Sequence, residues 1–215
     1  MEIEEENRAI QRAFRALLQA MSHPGRIYPL SGDTDKDIAP MGDAGLMLVL
    51  RTLLDHEVRF SVLGKETGSL EKAVSRLTGG RCAAVADADF VIVPDGKSGG
   101  AIKKARRGTL EYPDAGATAI YAVQSLEEGG GAGVPEAAGM ISPLSPEFPV
   151  SSAAAVLKGP GVKDEIAVAI VGTSPEELAD IKEMNEDFPL GIDCVFVDEA
   201  GMVLCIPRST RIEAR

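Results

Sequence analysis

The segment from Ser174 to Thr210 constrains the fold most strongly, because it predicts a helix, a sharp reversal and a β-hairpin in succession. Ser174 and Glu177 have the spacing of a capping box, which defines where the helix begins. Two strand-like runs follow, from Ile192 to Val197 and from Met202 to Ile206. The segment therefore predicts a capped helix followed by two antiparallel strands.

The hairpin loop also predicts which residues face each other across the two strands. A symmetric loop would set Cys194 opposite Cys205, whereas a type I turn with a bulge would set Cys194 opposite Ile206. We expect the bulge, because Gly201 occupies the position where that turn requires positive φ. The two thiols are then separate, reduced and packed as small hydrophobic groups, without a redox role.

Helical and extended patterns alternate along the rest of the chain. Helices are expected at Glu5–Met21, Asp43–Leu54, Ser69–Leu77 and Lys97–Arg106, and strands at Ile27–Leu30, Val58–Leu63, Phe90–Val93, Ala117–Val123, Ala153–Leu157 and Ile166–Val171. This alternation predicts an α/β layer fold in which helices pack against a mixed sheet. A length of 215 residues suits a single domain, 1–215, with a flexible Gly/Pro-rich insertion at about 127–149.

The net charge and the hydropathy pattern exclude several classes of protein. A formal net charge of -11 would repel a nucleic-acid backbone, so we expect no nucleic-acid partner. The acidic N-terminal stretch lacks an apolar signal core, and no apolar run reaches about 18 residues, so no membrane association is expected. Three cysteines without framework spacing fit reduced thiols. These features predict a cytoplasmic protein.

Motifs for metal, phosphate-loop or nucleophilic chemistry are absent from the sequence. His23 and His56 have no paired cysteines nearby, so no metal site is expected. The run GKSGG ends like a phosphate loop, but Val91 stands where the first glycine of that loop would fall. No GxSxG elbow occurs. Asp193 and Asp114 could act as acid or base, and they suit a cap or turn equally well.

Two clusters of cations could bind an anion or a partner. Arg208, Ser209 and Thr210 follow the last hairpin strand and could hold a phosphate or carboxylate, or the arginine could close the sheet as a hydrated group. In the first helix an arginine stripe lies nearly opposite an apolar stripe. The arginine stripe comprises Arg8, Arg12 and Arg15 with Gln19, and the apolar stripe comprises Ile10, Phe14, Leu17 and Met21. The arginine stripe could dock an acidic partner or phosphorylated ligand, or remain solvated.

Four regions carry a resemblance to one family. They are FRALLQAMSHPG at 14–25, PDAGAT at 113–118, LKGPGV at 157–162, and FPLGID at 188–193 with PRST at 207–210. In this order they resemble the H subunit of the bacterial carbon-phosphorus lyase system, the PhnH family. No single string is a catalytic fingerprint, so the ordered set carries the resemblance. The chain departs from the family pattern at Asp114, where we expect Glu, and in its longer Gly-rich insertion.

The resemblance implies a subunit of the core complex for alkylphosphonate catabolism. Such a complex supports formation of α-D-ribose 1-methylphosphonate 5-triphosphate from ATP and methylphosphonate, with release of adenine. The implied partners are the G, I and J subunits, and the isolated subunit could form a homodimer. The implied fold is a three-layer α/β/α arrangement with a mixed sheet, resembling the large domain of PLP-dependent transferases. No cofactor is expected.

A second class of function stays open beside the subunit. The chain could be a stand-alone small-molecule-binding or transferase enzyme with an anion pocket, but the lack of a recognisable nucleophile, metal site or cofactor motif favours the subunit. In either case we expect the distinctive motifs to form one connected surface. The predicted ligand- or partner-binding residues are Arg15, Ser22, Asp193, Arg208 and Thr210.

Overall fold

A computed structural model describes residues 2–30, 43–65, 67–129 and 151–214 of the chain. Its helices are α1 (Glu2–Ser22), α2 (Asp43–Leu53), α3 (Gly68–Thr78) and α4 (Pro175–Met184). Its strands are β1 (Ile27–Pro29), β2 (Arg59–Val62), β3 (Arg81–Cys82), β4 (Phe90–Val93), β5 (Thr118–Val123), β6 (Ser125–Gly129), β7 (Ser152–Lys158), β8 (Ile166–Val171), β9 (Asp193–Asp198), β10 (Met202–Ile206) and β11 (Arg211–Ala214).

The strands form two sheets. The larger sheet is mixed and has the order β1-β10-β9-β5-β4-β2-β3. Strands β3, β2, β4, β5 and β9 run parallel, and β10 and β1 extend the sheet as antiparallel neighbours. The smaller sheet is antiparallel throughout, in the order β11-β7-β8-β6. The amino ends of β4, β5 and β9 therefore meet at one edge of the larger sheet, and their carboxyl ends meet at the opposite edge.

The larger sheet separates two hydrophobic cores. Helices α1, α2 and α3 cover one face, where Ala20, Leu50 and Val74 are fully buried. Helix α4 and the smaller sheet cover the other face, where Ile181 and Ile170 are fully buried. The expected mixed α/β architecture with a large mixed sheet is confirmed, but the layer on one face contains the smaller sheet beside helix α4, which the three-layer α/β/α expectation did not include. Strands β7 and β8 carry alternating buried and less buried residues, so their apolar face must pack on the larger sheet.

Helix α1 packs through small side chains rather than through the expected apolar stripe. The buried residues lie at helical spacing and are Ala13, Ala16, Leu17 and Ala20. Phe14 and Leu18 instead remain 48% and 50% exposed. Of the predicted stripe, only Leu17 is buried. Alanines allow the helix backbone to approach its neighbours closely, and this rotates Phe14 towards solvent.

The register of the β9–β10 hairpin is as predicted. Cys194 lies opposite Ile206, and Cys205 lies opposite Val195. Gly201 has φ of 75°, and Asp198 Oδ1 accepts hydrogen bonds of 2.9 Å from the backbone N–H groups of Ala200 and Met202. The side chain of Asp198 and the left-handed glycine together fix the turn, and the turn fixes the register.

Helix α4 begins with the predicted Ser174 cap, but the Glu177 side chain, the other half of the predicted capping box, bonds Tyr121 and Ser98 and anchors the helix. Ser174 Oγ accepts from Glu177 N at 3.3 Å. The Glu177 side chain is buried, and its oxygens accept from Tyr121 Oη at 2.9 Å, Ser98 N at 2.8 Å and Ser98 Oγ at 3.0 Å. Because each carboxyl oxygen has a donor, this buried polar group is satisfied and ties α4 to β5 and to the loop that follows β4.

Two of the predicted segments differ from the structure. The segment predicted as a helix at Lys97–Arg106 contains only a 3₁₀ turn, Ala101–Lys104, because Gly99 and Gly100 adopt positive φ immediately before it. Strand β6 occupies the start of the predicted flexible insertion, and residues 130–149 of that insertion lie outside the described residues. Among the described residues, no helix is long and apolar enough to cross a membrane.

We expect one of the three thiols to react in the folded protein. Cys82 is exposed, whereas Cys194 and Cys205 are fully buried in the hairpin. Burial raises the pKa of all three thiols, reinforced by Glu71 at Cys82 and by Asp193 at the two hairpin thiols, so access decides which thiol reacts, and only Cys82 is accessible. A colorimetric thiol titration at about pH 8 should count one fast thiol in native protein and three after denaturation. Cys82→Ser should abolish the fast reaction, and two fast thiols in native protein would contradict the hairpin packing.

Candidate functional site

The side chain of Arg208 is largely buried and is held by an ion pair and a hydrogen bond. Its backbone N–H donates to Asp193 Oδ1 at 2.8 Å, its Nε lies 3.1 Å from Asp193 Oδ2, and its Nη2 lies 2.5 Å from the same oxygen. Its Nη1 donates to the backbone carbonyl of Pro113. The arginine side chain is only 14% exposed. Arg208 thus joins three segments, the loop before β5, the start of β9 and the end of β10.

Glycine makes room for this arginine. A Cβ at Gly116 would collide with the carbonyl oxygen of Gly191 and would lie 2.5 Å from Arg208 Nη1. Gly191 itself has φ of 146° and donates its N–H to the carbonyl of Arg107 at 2.9 Å. The glycines of the PDAGAT and FPLGID strings therefore allow the two loops to pack directly against each other around the guanidinium group.

Asn185 fixes the FPLGID loop from the other side. It ends α4, and its side-chain amide bonds both backbone groups of Ile192, accepting from the N–H at 2.8 Å and donating to the carbonyl at 3.1 Å. This pairing substitutes for a neighbouring strand just before β9 begins. The backbone that presents Asp193 to Arg208 is therefore held in a single conformation.

A groove of about 690 Å³ lies beside Arg208. Its lining comes from the turn after β7, the end of α4 and the segment that leads into β11, and includes Lys158, Lys182, Phe188, Arg211 and Thr210. Lys158 Nζ lies 2.9 Å from Glu213 and 3.3 Å from Glu165. Lys182 and Arg211 are exposed and have no ion pair with a described residue. The volume suits a small ligand. Lys182 and Arg211 would favour a negatively charged one, and Glu186 and Glu213, which also line the groove, would oppose it.

The Gly-Pro-Gly turn links this groove to the N-terminal motif. Gly161 has φ of 80°, and a Cβ there would overlap the backbone oxygen of Ser22 and come within 2.8 Å of Pro24 Cδ. Gly159 has φ of 135°, and a Cβ there would lie 3.0 Å from the carbonyl oxygen of Ser209. The turn is therefore in close contact with α1's end on one side and with the Ser209–Thr210 backbone on the other.

A second cavity, of about 320 Å³, lies at the carboxyl ends of β4, β5 and β9. Ligands of open α/β sheets commonly bind at such an edge. Here the lining contains Asp95, Asp198 and Glu199, and among the described residues that form it there is no lysine or arginine. The three carboxylates in the described lining disfavour a phosphate group in this cavity. No group of His, Cys, Asp or Glu side chains in the described part of the chain could hold a metal ion.

Comparison of the sequence with known proteins tests the family resemblance that the four regions predicted. A family model described as bacterial phosphonate metabolism protein (PhnH) matches residues 2–213. The chain belongs to the PhnH family. The family resemblance that the four regions predicted is thereby confirmed.

Two relatives show how far this similarity extends. A putative C-P lyase subunit protein, HtxG, from Stutzerimonas stutzeri is 31% identical over 207 residues, which cover 95% of this chain and 86% of the relative. The α-D-ribose 1-methylphosphonate 5-triphosphate synthase subunit PhnH from Rhizobium meliloti (strain 1021) is 30% identical over 208 residues, which cover 94% of this chain and 90% of the relative. Both alignments span nearly the full length of each chain.

The structure brings some of the predicted site residues together. Asp193 and Arg208 form the ion pair, and Thr210 is buried beside them and lines the groove. Ser22 is exposed at the far side of the Gly-Pro-Gly turn. Arg15 is exposed on α1 and makes no ion pair with a described residue. The described contacts thus connect Asp193 and Arg208 directly, place Thr210 in the same groove lining as Arg208, connect Ser22 through the turn, and do not connect Arg15.

Sequence reasoning missed several residues that build this region. Asn185 had a local signal, because asparagine is favoured where a helix ends. Arg107, which lies 3.0 Å from Asp187 and holds the two loops together, had none. Lys182 and Arg211 look like ordinary surface cations in the sequence and become notable only when the groove is seen.

We expect the Asp193–Arg208 pair to dominate the stability of this region. Asp193→Ala leaves a nearly buried guanidinium group without its charge partner, which should lower the free energy of unfolding by about 3 kcal/mol. Arg15→Ala, an exposed change on α1, serves as the control and should stay within about 0.5 kcal/mol of the native protein.

Urea denaturation of the single variants and of Asp193→Ala/Arg208→Ala measures the coupling between the two side chains. The double variant should lose less than the sum of the single losses, because it removes both charges. A loss below about 1 kcal/mol in Asp193→Ala would show that the pair contributes no more than an exposed salt bridge.

Proposed function

We propose that this chain is a subunit of a carbon-phosphorus lyase complex in phosphonate catabolism. Its role is to support the formation of α-D-ribose 1-methylphosphonate 5-triphosphate from ATP and methylphosphonate. The observation that carries the proposal is the near full-length similarity to two relatives whose names describe subunits of this system. Membership of the PhnH family over residues 2–213 agrees with it.

The geometry around Arg208 supports a subunit rather than an independent enzyme. The Arg208 guanidinium group and the Asp193 carboxylate bind each other, so neither is available as an electrostatic catalyst or a general base in this conformation. The two hairpin thiols are fully buried and their pKa values are raised, which makes them poor nucleophiles. The distinctive motifs are used here to hold loops in place.

The five residues predicted from the sequence remain a proposed ligand- or partner-binding surface with distinct parts. The contacts favour a positioning role for Asp193 and Arg208. Thr210 lines the groove, whereas Ser22 and Arg15 are exposed on the N-terminal motif. We propose the G, I and J subunits as partners, a homodimer for the isolated chain and a cytoplasmic location. The likeness to the large domain of PLP-dependent transferases stays a prediction, which superposition on such a domain checks.

A stand-alone enzyme with an anion pocket is the second candidate, and the groove is the observation that favours it. Lys182 and Arg211 line the groove without an ion pair to a described residue, and Ser209 adds a hydroxyl. Against it, Glu186 and Glu213 also line the groove, and residues at the C-terminal end of α4, which carries a partial negative charge, contribute to the lining. The groove therefore attracts an anion only weakly.

The two candidates differ in what the isolated chain should do. Purified alone with ATP and methylphosphonate, it should release no adenine, whereas the assembled complex should release adenine only when this chain is included. The measurement is chromatographic quantification of adenine over time. Steady release from the isolated chain, lost in Lys182→Ala/Arg211→Ala but kept in Lys104→Ala, would overturn the subunit proposal in favour of the groove.

A further inference from the structure

Three large apolar side chains are strongly exposed on two neighbouring loops. Leu110 is 78% exposed, Tyr112 65% and Phe188 63%. The first two lie in the loop before β5, and Phe188 lies in the loop before β9. Strands β5 and β9 are adjacent and parallel, so their preceding loops emerge at the same edge of the larger sheet. We call these three side chains the loop patch.

The two loops are held together by specific contacts. The carbonyl of Arg107 accepts from Gly191 N at 2.9 Å, and Arg107 Nη2 lies 3.0 Å from Asp187 Oδ2. Arg208 adds its hydrogen bond to Pro113. At the tip of the first loop, Thr109 and Tyr112 exchange two backbone hydrogen bonds of 3.1 Å. The loop patch is therefore presented on an ordered framework.

Most of the charged side chains around the loop patch are negative, although Lys182 and Arg211 line the groove together with Phe188. Glu111, Asp114 and Glu186 are exposed and make no ion pair with a described residue. Asp187 is paired with Arg107, which leaves that pair neutral. An apolar surface with an acidic rim is complementary to an apolar surface with a basic rim.

We propose that the loop patch is the docking surface for another subunit of the complex, one that presents an apolar contact bordered by lysine or arginine. This inference rests on the proposed function. Large exposed apolar groups on an ordered framework indicate an interaction site. The charge distribution selects a different chain rather than a second copy, because a symmetric contact would set one acidic rim against another. The contacts of Arg208 with Asp193 and Pro113 then hold the two loops of the docking surface in place.

The test compares binding of wild-type and variant chains to the G, I and J subunits produced together. Leu110→Ser/Tyr112→Ser should weaken binding at least about tenfold, because exposed aromatic and aliphatic anchors contribute most of the affinity of such interfaces. Both side chains are exposed, so the variant should unfold at the same urea concentration as the wild type. Phe14→Ser/Leu18→Ser removes two exposed apolar side chains from α1 instead. Comparing the two double variants shows whether the other subunits bind at the loop patch or at α1.

A charge reversal tests the acidic rim separately. Glu111→Lys should slow association severalfold and reduce its dependence on salt concentration. Glu199→Lys changes the net charge equally but lies in the β9–β10 turn, at the other end of β9. It should therefore leave the association rate close to that of the wild type.

The outcomes separate this inference from the function on which it rests. If the wild-type chain does not bind the other subunits, the proposed function and the docking surface both fail. If the wild type binds and Leu110→Ser/Tyr112→Ser binds equally well, only the docking surface is overturned, and weaker binding of the α1 variant would place the contact there. Conversion of an isolated dimer to a monomer by Leu110→Ser/Tyr112→Ser, with binding to the other subunits unchanged, would show a self-contact instead and also overturn it.

Discussion

The ion pair between Arg208 and Asp193 is the interaction on which this edge of the molecule depends. A guanidinium group that is only 14% exposed needs its charge balanced and its N–H groups bonded, and Asp193 and the Pro113 carbonyl meet both needs. The two requirements bring together segments that are 15 and 95 positions away from Arg208. Once they are met, the loops before β5 and β9 have little freedom to separate, and the groove and the loop patch take their shapes from them.

Glycine and asparagine supply what the ion pair alone cannot. At Gly116 and Gly161 any side chain would collide with backbone or with the arginine, so the close approach of the four motif regions requires glycine there. Asn185 satisfies the backbone of Ile192 where the chain has left α4 and has not yet entered β9. These positions explain why the motifs are rich in Gly, Pro and Asp without forming a catalytic set: they encode close packing of loops.

Local signals in the sequence were sufficient for some of the fold and insufficient for the rest. The capping box at Ser174 and the glycine at 201 are local, and they correctly predicted the start of α4 and the hairpin register. The prediction of which face of α1 is buried was wrong. Helical periodicity identifies an apolar stripe, but it does not show how closely alanines let a helix approach its neighbours. The contact of Arg208 with Pro113 spans 95 positions and has no local signal, so the sequence did not predict it.

The two edges of the larger sheet differ in a way that bears on function. Ligands of open α/β sheets usually occupy the carboxyl edge, but that edge here is lined by Asp95, Asp198 and Glu199 and repels phosphate. The loops that meet through Arg208 stand at the amino ends of β5 and β9, and the groove beside Arg208 is lined by charges of both signs. Arg208 and Asp193 bind each other there, and the mixed charges of the groove select an anion only weakly, so the exposed side chains of the loops are the more distinctive feature of this edge. The position of the motifs therefore favours assembly with other chains over independent catalysis.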